Sequence, residues 1–228
     1  MLFSESGYDY RMTEKIDRRR RRTQKAVLDA AEELFIEHGY RAATLEAIAE
    51  RADVAISSIY FNFAGGKSDL YLALAKRTAV INEEVLEPAY DPALDPFEQL
   101  IAVGRAYSKF HLDNPLALRL LSLHDVDREG DERVAAAREE IRASIFSMLE
   151  RLEGLIQEAL DAGGNEGASA RAVTVFLFGS WNGVLSMHSR EQLSTRNLKG
   201  VLRTGEQLVV GAIRSGNAAS LETKGAKN

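Results

Sequence analysis

Residues 26–63, AVLDAAEELFIEHGYRAATLEAIAERADVAISSIYFNF, decide the fold. The beginning of this stretch repeats apolar residues at the spacing of an amphipathic helix. Gly39 is typical of a residue that ends such a helix, and Thr44 is a suitable N-cap for a short second helix. A tight connection at 52–54 precedes a third helix, predicted from Ile56 to Phe61. Two helices joined by a few residues, the second of them short, indicate a helix-turn-helix.

The third helix is expected to have a buried side and an outer side. A small core is predicted from Leu34, Phe35, Ile48, Val54, Ile59 and Phe63. The residues left on the outer side are Ile56, Ser57, Ser58, Phe61 and Asn62. In this motif the outer side lies in the major groove of DNA, where small hydroxyl residues hydrogen-bond bases or phosphates. These five residues are therefore predicted DNA contacts.

A run of arginines, Arg18 to Arg22, stands just before the first helix, which the apolar pattern predicts from Thr23. Residues 1–77 carry 13 Lys and Arg against 12 Asp and Glu, whereas residues 78–228 carry 16 against 22. Basic charge beside a helix-turn-helix favours a DNA arm that reaches phosphates or the minor groove. Arg20, Arg21 and Arg22 are the predicted contacts, and a solvated tail is the alternative.

The rest of the chain shows helical patterns and no strand pattern, so the predicted fold class is all-α. Pro96 after Asp95, and Pro115 after Asn114, are typical of helix starts. Further helices are predicted at about 68–87, 96–111, 115–123, 132–162, 169–188 and 194–214.

The residues quoted above, followed by GGKSDLYLALA at 65–75, resemble the TetR family of regulators. The resemblance covers about residues 23–75. It implies an N-terminal three-helix helix-turn-helix domain and a C-terminal helical ligand-binding and dimerisation domain. The boundaries expected are a flexible basic arm at 1–19, the DNA-binding domain at 20–66, the C-terminal domain at 67–215 and a disordered tail at 216–228.

The resemblance also implies roles for single residues. Thr44 matches the cap of the second helix that also touches phosphate, Tyr60 matches a tyrosine that contacts the DNA backbone, and Lys67 resembles a lysine that contacts phosphate. Three features depart from the family pattern. Asp53 replaces the usual glycine of the turn, Ala55 replaces the usual Ser or Thr cap, and the segment before Lys67 is one residue longer.

In the C-terminal domain the resemblance implies a homodimer through helices 169–188 and 194–214, with Leu202 and Val209 predicted to face outward. A ligand cavity is predicted between the helices that begin near Pro96, Pro115, Glu132 and Ser169. Its candidate lining residues, each of which is also compatible with plain core packing, are Phe110, His111, Leu118, Phe146, Phe176 and Trp181.

Other classes of function lack their motifs. The chain has no cysteine, its four histidines are dispersed, and Gly65-Gly66-Lys67-Ser68 lacks the earlier glycine of a phosphate-binding loop. We therefore expect no metal, no cofactor and no enzymatic activity. Without an apolar run of membrane length or a signal peptide, a cytoplasmic protein with no membrane partner is expected.

The function predicted is a transcriptional repressor that a small-molecule ligand releases from a palindromic operator in double-stranded DNA. The alternative is a DNA-binding interaction protein without a ligand switch. An apolar cavity within residues 96–190 would favour the first, and a solid core would favour the second.

Overall fold

The computed structural model describes residues 5–126, 131–165 and 167–216, with side chains from residue 17 onward. Within those residues it is built from helices and contains no strand, as predicted. The helices are α1 Glu5–Ala42, α2 Leu45–Arg51, α3 Ile56–Asn62, α4 Lys67–Leu86, α5 Pro96–Asp113, α6 Ala117–Leu121, α7 Glu132–Ala162, α8 Ala170–Ser189 and α9 Thr195–Arg214, with a 3-10 turn at Glu87–Ala89. The predicted tail at 216–228 lies outside the described residues except for Gly216.

Side-chain caps begin several of these helices where the sequence predicts them. Thr44 Oγ1 accepts a hydrogen bond from the backbone N–H of Ala47, and Ser169 and Ser194 cap α8 and α9 in the same way. Asp95 and Glu98 form a complete capping box at the start of α5. Each of these contacts satisfies backbone N–H groups that have no partner inside the helix.

Two helix starts differ from the sequence prediction. Helix α1 begins at Glu5 and so includes the arginine run, whereas the apolar pattern predicts a start at Thr23. Apolar periodicity reports burial, and a polar helical segment leaves no such signal. Asn114 closes α5 instead of starting α6: its Nδ2 donates to the carbonyl of Phe110, and α6 begins only at Ala117.

Two hydrophobic clusters hold the helices together. The first cluster joins α1, α2 and α3 to the first half of α4, and it continues into α6 and the first part of α7 through Leu120, Val134 and Ile141. The second cluster joins α5, the second half of α7, α8 and α9. The helix-turn-helix therefore rests on helices of the C-terminal part, and the boundary at residues 66–67 stays a prediction.

Candidate nucleic-acid interface and ligand cavity

The turn before α3 is held by backbone contacts and by one residue in left-handed geometry. Asp53 has a φ of 53°, so the aspartate adopts the conformation for which glycine is usual. The N–H of Val54 donates to the carbonyl of Ala49 at 3.0 Å. Ala55, at the N-cap of α3, makes no side-chain capping bond. Two of the three departures from the family pattern are thus visible in the turn.

Helix α3 buries one residue and exposes most of the others. Ile59 is fully buried in the first cluster, as predicted. Ile56, Ser57, Tyr60 and Phe61 are exposed, and the Phe61 side chain is 78% exposed. No residue of α3 carries a formal charge. The surface that α3 presents to solvent is therefore largely apolar and aromatic.

Asn62 is less available to DNA than the sequence suggests. Its Nδ2 donates to the Ser58 carbonyl at 2.8 Å, and its Oδ1 is buried without a partner. Ser58 and Asn62 are both half-buried. Asn62 nevertheless lines the cleft beside α3 together with Ser57 and Phe61, so its role as a DNA contact stays a prediction.

The arginine run lies beside α3. Arg19 and Arg20 of α1 line a cleft of about 530 Å³ together with Thr23, Ser57, Ser58, Phe61 and Asn62. The Arg20 guanidinium lies 5.9 Å from the centre of the Phe61 ring. Arg21 and Arg22 are exposed but do not line this cleft. Successive residues of a helix point about 100° apart, so a contiguous run cannot face one surface.

Lys67 makes hydrogen bonds and a ring contact within the protein that the sequence does not predict. Its Nζ donates to the carbonyls of Arg41 and Ala43, at 3.2 and 2.8 Å, and lies 4.7 Å from the centre of the Tyr40 ring. Burial lowers the pKa of this lysine. The ammonium group ties the start of α4 to the α1–α2 connection, and this contact competes with the phosphate role implied by the resemblance.

A cavity of about 320 Å³ lies among α4, α5, α6, α7 and α8. Its lining is mostly apolar, with a few uncharged polar groups. The residues that line it are Asn82, Tyr107, His111, Leu118, Leu121, Ser122, Ile145, Met148, Phe178, Asn182 and Ser186. Four of these helices are the ones that the sequence predicts around a cavity, and α4 is an addition.

Two polar residues of this cavity have buried side-chain atoms without a hydrogen-bond partner. His111 is 7% exposed and Asn82 is 6% exposed; both ring nitrogens of His111 and the Oδ1 of Asn82 are buried without a hydrogen bond. Burial lowers the pKa of His111 to about 4, so its imidazole is neutral near pH 7. By contrast, the Tyr107 hydroxyl donates to Asn182 Oδ1 at 2.8 Å.

The structure brings only part of the predicted lining set to this cavity. His111 and Leu118 line it, whereas Phe110 is buried outside it. Trp181 packs against α5 instead: a methyl group at Gly104 would lie 2.6 Å from its ring. Phe146 and Phe176 are exposed, so their assignment to the cavity is wrong. Both lie on long helices with more apolar residues than one buried face holds.

Sequence analysis missed most of the polar lining. Asn82 lies among the apolar residues of α4, and Asn182 lies within the apolar α8. An amide residue within an apolar helix face would have identified Asn82 and Asn182 as candidates. A buried amide needs a hydrogen-bond partner, so its presence there points to a polar contact or a ligand.

Helices α8 and α9 leave apolar side chains exposed. On α8 these are Val175, Phe176 and Met187, and on α9 they are Val201 and Leu208. Phe176 is 65% exposed and Leu208 is 69% exposed. Leu202 and Val209 instead pack against the second cluster, which corrects the prediction that they face outward.

A family model described as bacterial regulatory proteins, tetR family, matches residues 27–74. These residues are therefore similar to the DNA-binding domain of TetR-family regulators. The match covers the last part of α1, all of α2 and α3, and the beginning of α4, and so includes the turn and the exposed α3 residues described here. Within the matched residues, α3 is the second helix of the helix-turn-helix.

Relatives of known name are similar over a longer stretch. The HTH-type transcriptional activator FasR of Mycolicibacterium smegmatis is 30% identical over 143 residues, which are 62% of this chain and 64% of FasR. The fatty acid metabolism regulator protein of Bacillus subtilis is 26% identical over 157 residues, which are 68% of this chain and 77% of that protein. The chain thus spans less than two thirds of FasR. These names are those of transcription regulators, which are not enzymes.

The fold is similar to that of FadR from Bacillus subtilis, solved in complex with stearoyl-CoA. The TM-score is 0.61 at 22% identity, over 84% of this chain and 98% of FadR. This similarity shows the fold.

The described residues contain no group of side chains arranged to hold a metal ion. No helix in the described part of the chain is long and apolar enough to cross a membrane.

Proposed function

We propose that this protein is a homodimeric transcriptional repressor that binds a palindromic operator through α3 and is released by a small, mostly apolar ligand in the cavity. The observation that carries the proposal is the TetR-type domain itself, with an exposed α3 and the Arg19 and Arg20 side chains beside it. Arginine side chains at that position supply phosphate contacts, and α3 supplies base contacts. A regulator of this kind acts in the cytoplasm, where the chromosome lies.

The cavity supports a ligand switch over the alternative without one. The buried atoms without a partner on His111 and Asn82 favour a ligand that has an uncharged polar group to pair with them, because a buried polar atom without a hydrogen bond costs about 1–3 kcal/mol. The residues around the cavity include none with a formal charge. An apolar chain therefore suits it better than an ionised group, and FadR, a protein of the same fold, was solved with stearoyl-CoA. We propose an acyl chain as the part of the ligand that enters the cavity.

Two helices connect the cavity to the DNA-binding domain. On α6, Leu118 and Leu121 line the cavity, while Leu120 belongs to the first hydrophobic cluster. On α4, Asn82 lines the cavity, while the hydroxyl of Tyr71 donates to the carbonyl of Arg119 on α6 at 2.7 Å. A ligand that displaces α6 would thereby move α4, against which α1 packs, and α3 packs in turn against α1. The two sites would then be coupled by a shift between two arrangements.

The exposed apolar faces of α8 and α9 support the homodimer. Phe176 and Leu208 are the largest of the side chains concerned, and a two-fold axis would bury each against the partner. A Cβ atom placed at Gly179 or Gly183 would meet no atom of the described residues within 4 Å, so a second copy can approach closely there. Two α3 helices related by such an axis would bind a palindrome.

The salt dependence of DNA binding tests the proposal. The full chain is titrated onto the duplex that lies upstream of its own gene, at a series of salt concentrations. We expect affinity to fall steeply with salt, and the slope to fall by about one unit per protomer for Arg20→Ala, since each neutralised phosphate contributes about 0.9 to the slope. Arg142→Ala, an exposed arginine of α7, is the matched control and should keep the wild-type slope. Binding that ignores salt, or a slope that Arg20→Ala leaves unchanged, would overturn the proposed DNA interface.

A further inference from the structure

The outward face of α3 has an unusual composition for a surface that reads bases. Ile56, Ser57, Tyr60 and Phe61 fall within an arc of about 140° on a helix of 100° per residue. All four are exposed. The face carries no arginine, lysine, asparagine or glutamine, and the amide of Asn62 is turned back onto Ser58.

This composition removes the usual readers of purines. Guanine is read in the major groove by the paired donors of arginine or lysine, and adenine by the amide of asparagine or glutamine. The pattern that remains available to an apolar side chain is the C5-methyl group of thymine. Two apolar side chains are exposed on the face, Ile56 and Phe61, and Phe61 is its most exposed member.

The charges around the face identify its occupant as nucleic acid and not as an apolar protein surface. Arg19 and Arg20 line the same cleft as Ser57 and Phe61, and the Arg20 guanidinium lies over the Phe61 ring. An apolar protein partner would have to bury these cations unpaired, which is costly. The edge of a DNA groove instead offers phosphates to the arginines and methyl groups to the rings.

We infer that this protein selects its operator by the methyl groups of thymine, which Phe61 and Ile56 contact in the major groove. The inference rests on the proposed function and adds the base that is read. Affinity then comes from the arginines and is insensitive to sequence, whereas selectivity comes from apolar contact. Ser57 adds a hydrogen bond to a base or a phosphate without restricting the base.

The test compares thymine with uracil, which differs only by that methyl group. Duplexes are enriched from a randomised library with the full chain, and one enriched duplex is made again with uracil in place of every thymine. We expect enriched sequences with thymine at fixed positions in each half-site. We also expect the affinity for the uracil duplex to be about four-fold lower for each methyl group that the protein contacts. This factor is the change in binding constant expected from burying one methyl group.

Two variants assign the effect to the α3 face. Phe61→Ala should lower the thymine-to-uracil ratio of affinities, and Phe61→Ala combined with Ile56→Ala should bring it close to one. Val80→Ala, which truncates an exposed residue of α4, should keep the wild-type ratio. Equal binding of the two duplexes by the wild type would overturn the inference, as would enriched sequences fixed at guanine or adenine contacts alone. Salt-dependent binding without any enriched sequence would also overturn it, yet would leave the proposed DNA binding intact. Failure to bind any duplex would overturn both.

Discussion

Replacing His111 by leucine should make the protein more stable and less sensitive to acid. His111 has two buried ring nitrogens without partners, and leucine of similar size removes both. Each unsatisfied group costs about 1–3 kcal/mol, so we expect the free energy of unfolding of His111→Leu near neutral pH to rise by about that amount.

The dependence of the free energy of unfolding on pH gives a second, independent estimate of the effect of His111. Burial lowers the pKa of His111 to about 4, whereas the pKa of an unfolded histidine is about 6.5. Between these values the unfolded chain holds the extra proton, so the folded state loses stability as pH falls. From pH 7.5 to about pH 5 this one group should cost the wild type about 2 kcal/mol, and His111→Leu should be spared that loss.

Denaturant unfolding of both proteins at the two pH values measures this difference, because every other titrating group is common to them. His124→Leu, which removes an exposed histidine, controls for the loss of an imidazole. If the wild type and His111→Leu lost the same stability on acidification, the imidazole would not be buried and neutral. A destabilised His111→Leu at neutral pH would show that its nitrogens have partners in solution.

Three further substitutions test the turn, the core and the dimer. Ala55→Ser should supply the missing cap of α3 and raise the free energy of unfolding by about 1 kcal/mol in denaturant titrations. Gly104→Ala should lower the melting temperature. The overlap of the new methyl group with the Trp181 ring costs about 1–3 kcal/mol, which outweighs the roughly 1 kcal/mol gained by replacing a helical glycine. An unchanged or higher melting temperature would mean that the ring moves freely. Leu208→Glu should give monomers or aggregates in sedimentation. The control Gln207→Glu adds the same charge without removing apolar surface and should stay dimeric. A dimeric Leu208→Glu would place the interface elsewhere.

The sequence predicted those features that local chemistry determines. Asp95, Ser169 and Ser194 cap helices where predicted, because a cap depends only on residues within one turn. Gly39 has a φ of 78° and interrupts α1 at the predicted place, since few other residues adopt that conformation readily. The TetR resemblance, confirmed by the family match, rests on such local patterns.

Features that depend on distant partners were beyond sequence analysis. The carbonyls that Lys67 contacts lie 24 and 26 residues earlier in the chain. Phe176 and Trp181 have the same apolar character, but one is exposed and the other is packed on Gly104. Which side of an apolar helix faces the core, and where a cavity remains, follow from the packing of several helices together.

The most direct measurement of ligand-controlled DNA binding is the occupancy of a labelled operator duplex as an acyl ligand is added. Stearoyl-CoA and a series of shorter acyl-CoA compounds are titrated into the protein–DNA complex and followed by fluorescence anisotropy, with free CoA as the control. The proposed function predicts that an acyl-CoA of some chain length releases the wild-type protein from DNA, that free CoA does not, and that His111→Leu responds less. DNA occupancy that stays constant for every chain length would contradict an acyl-controlled repressor, even if DNA binding itself were confirmed.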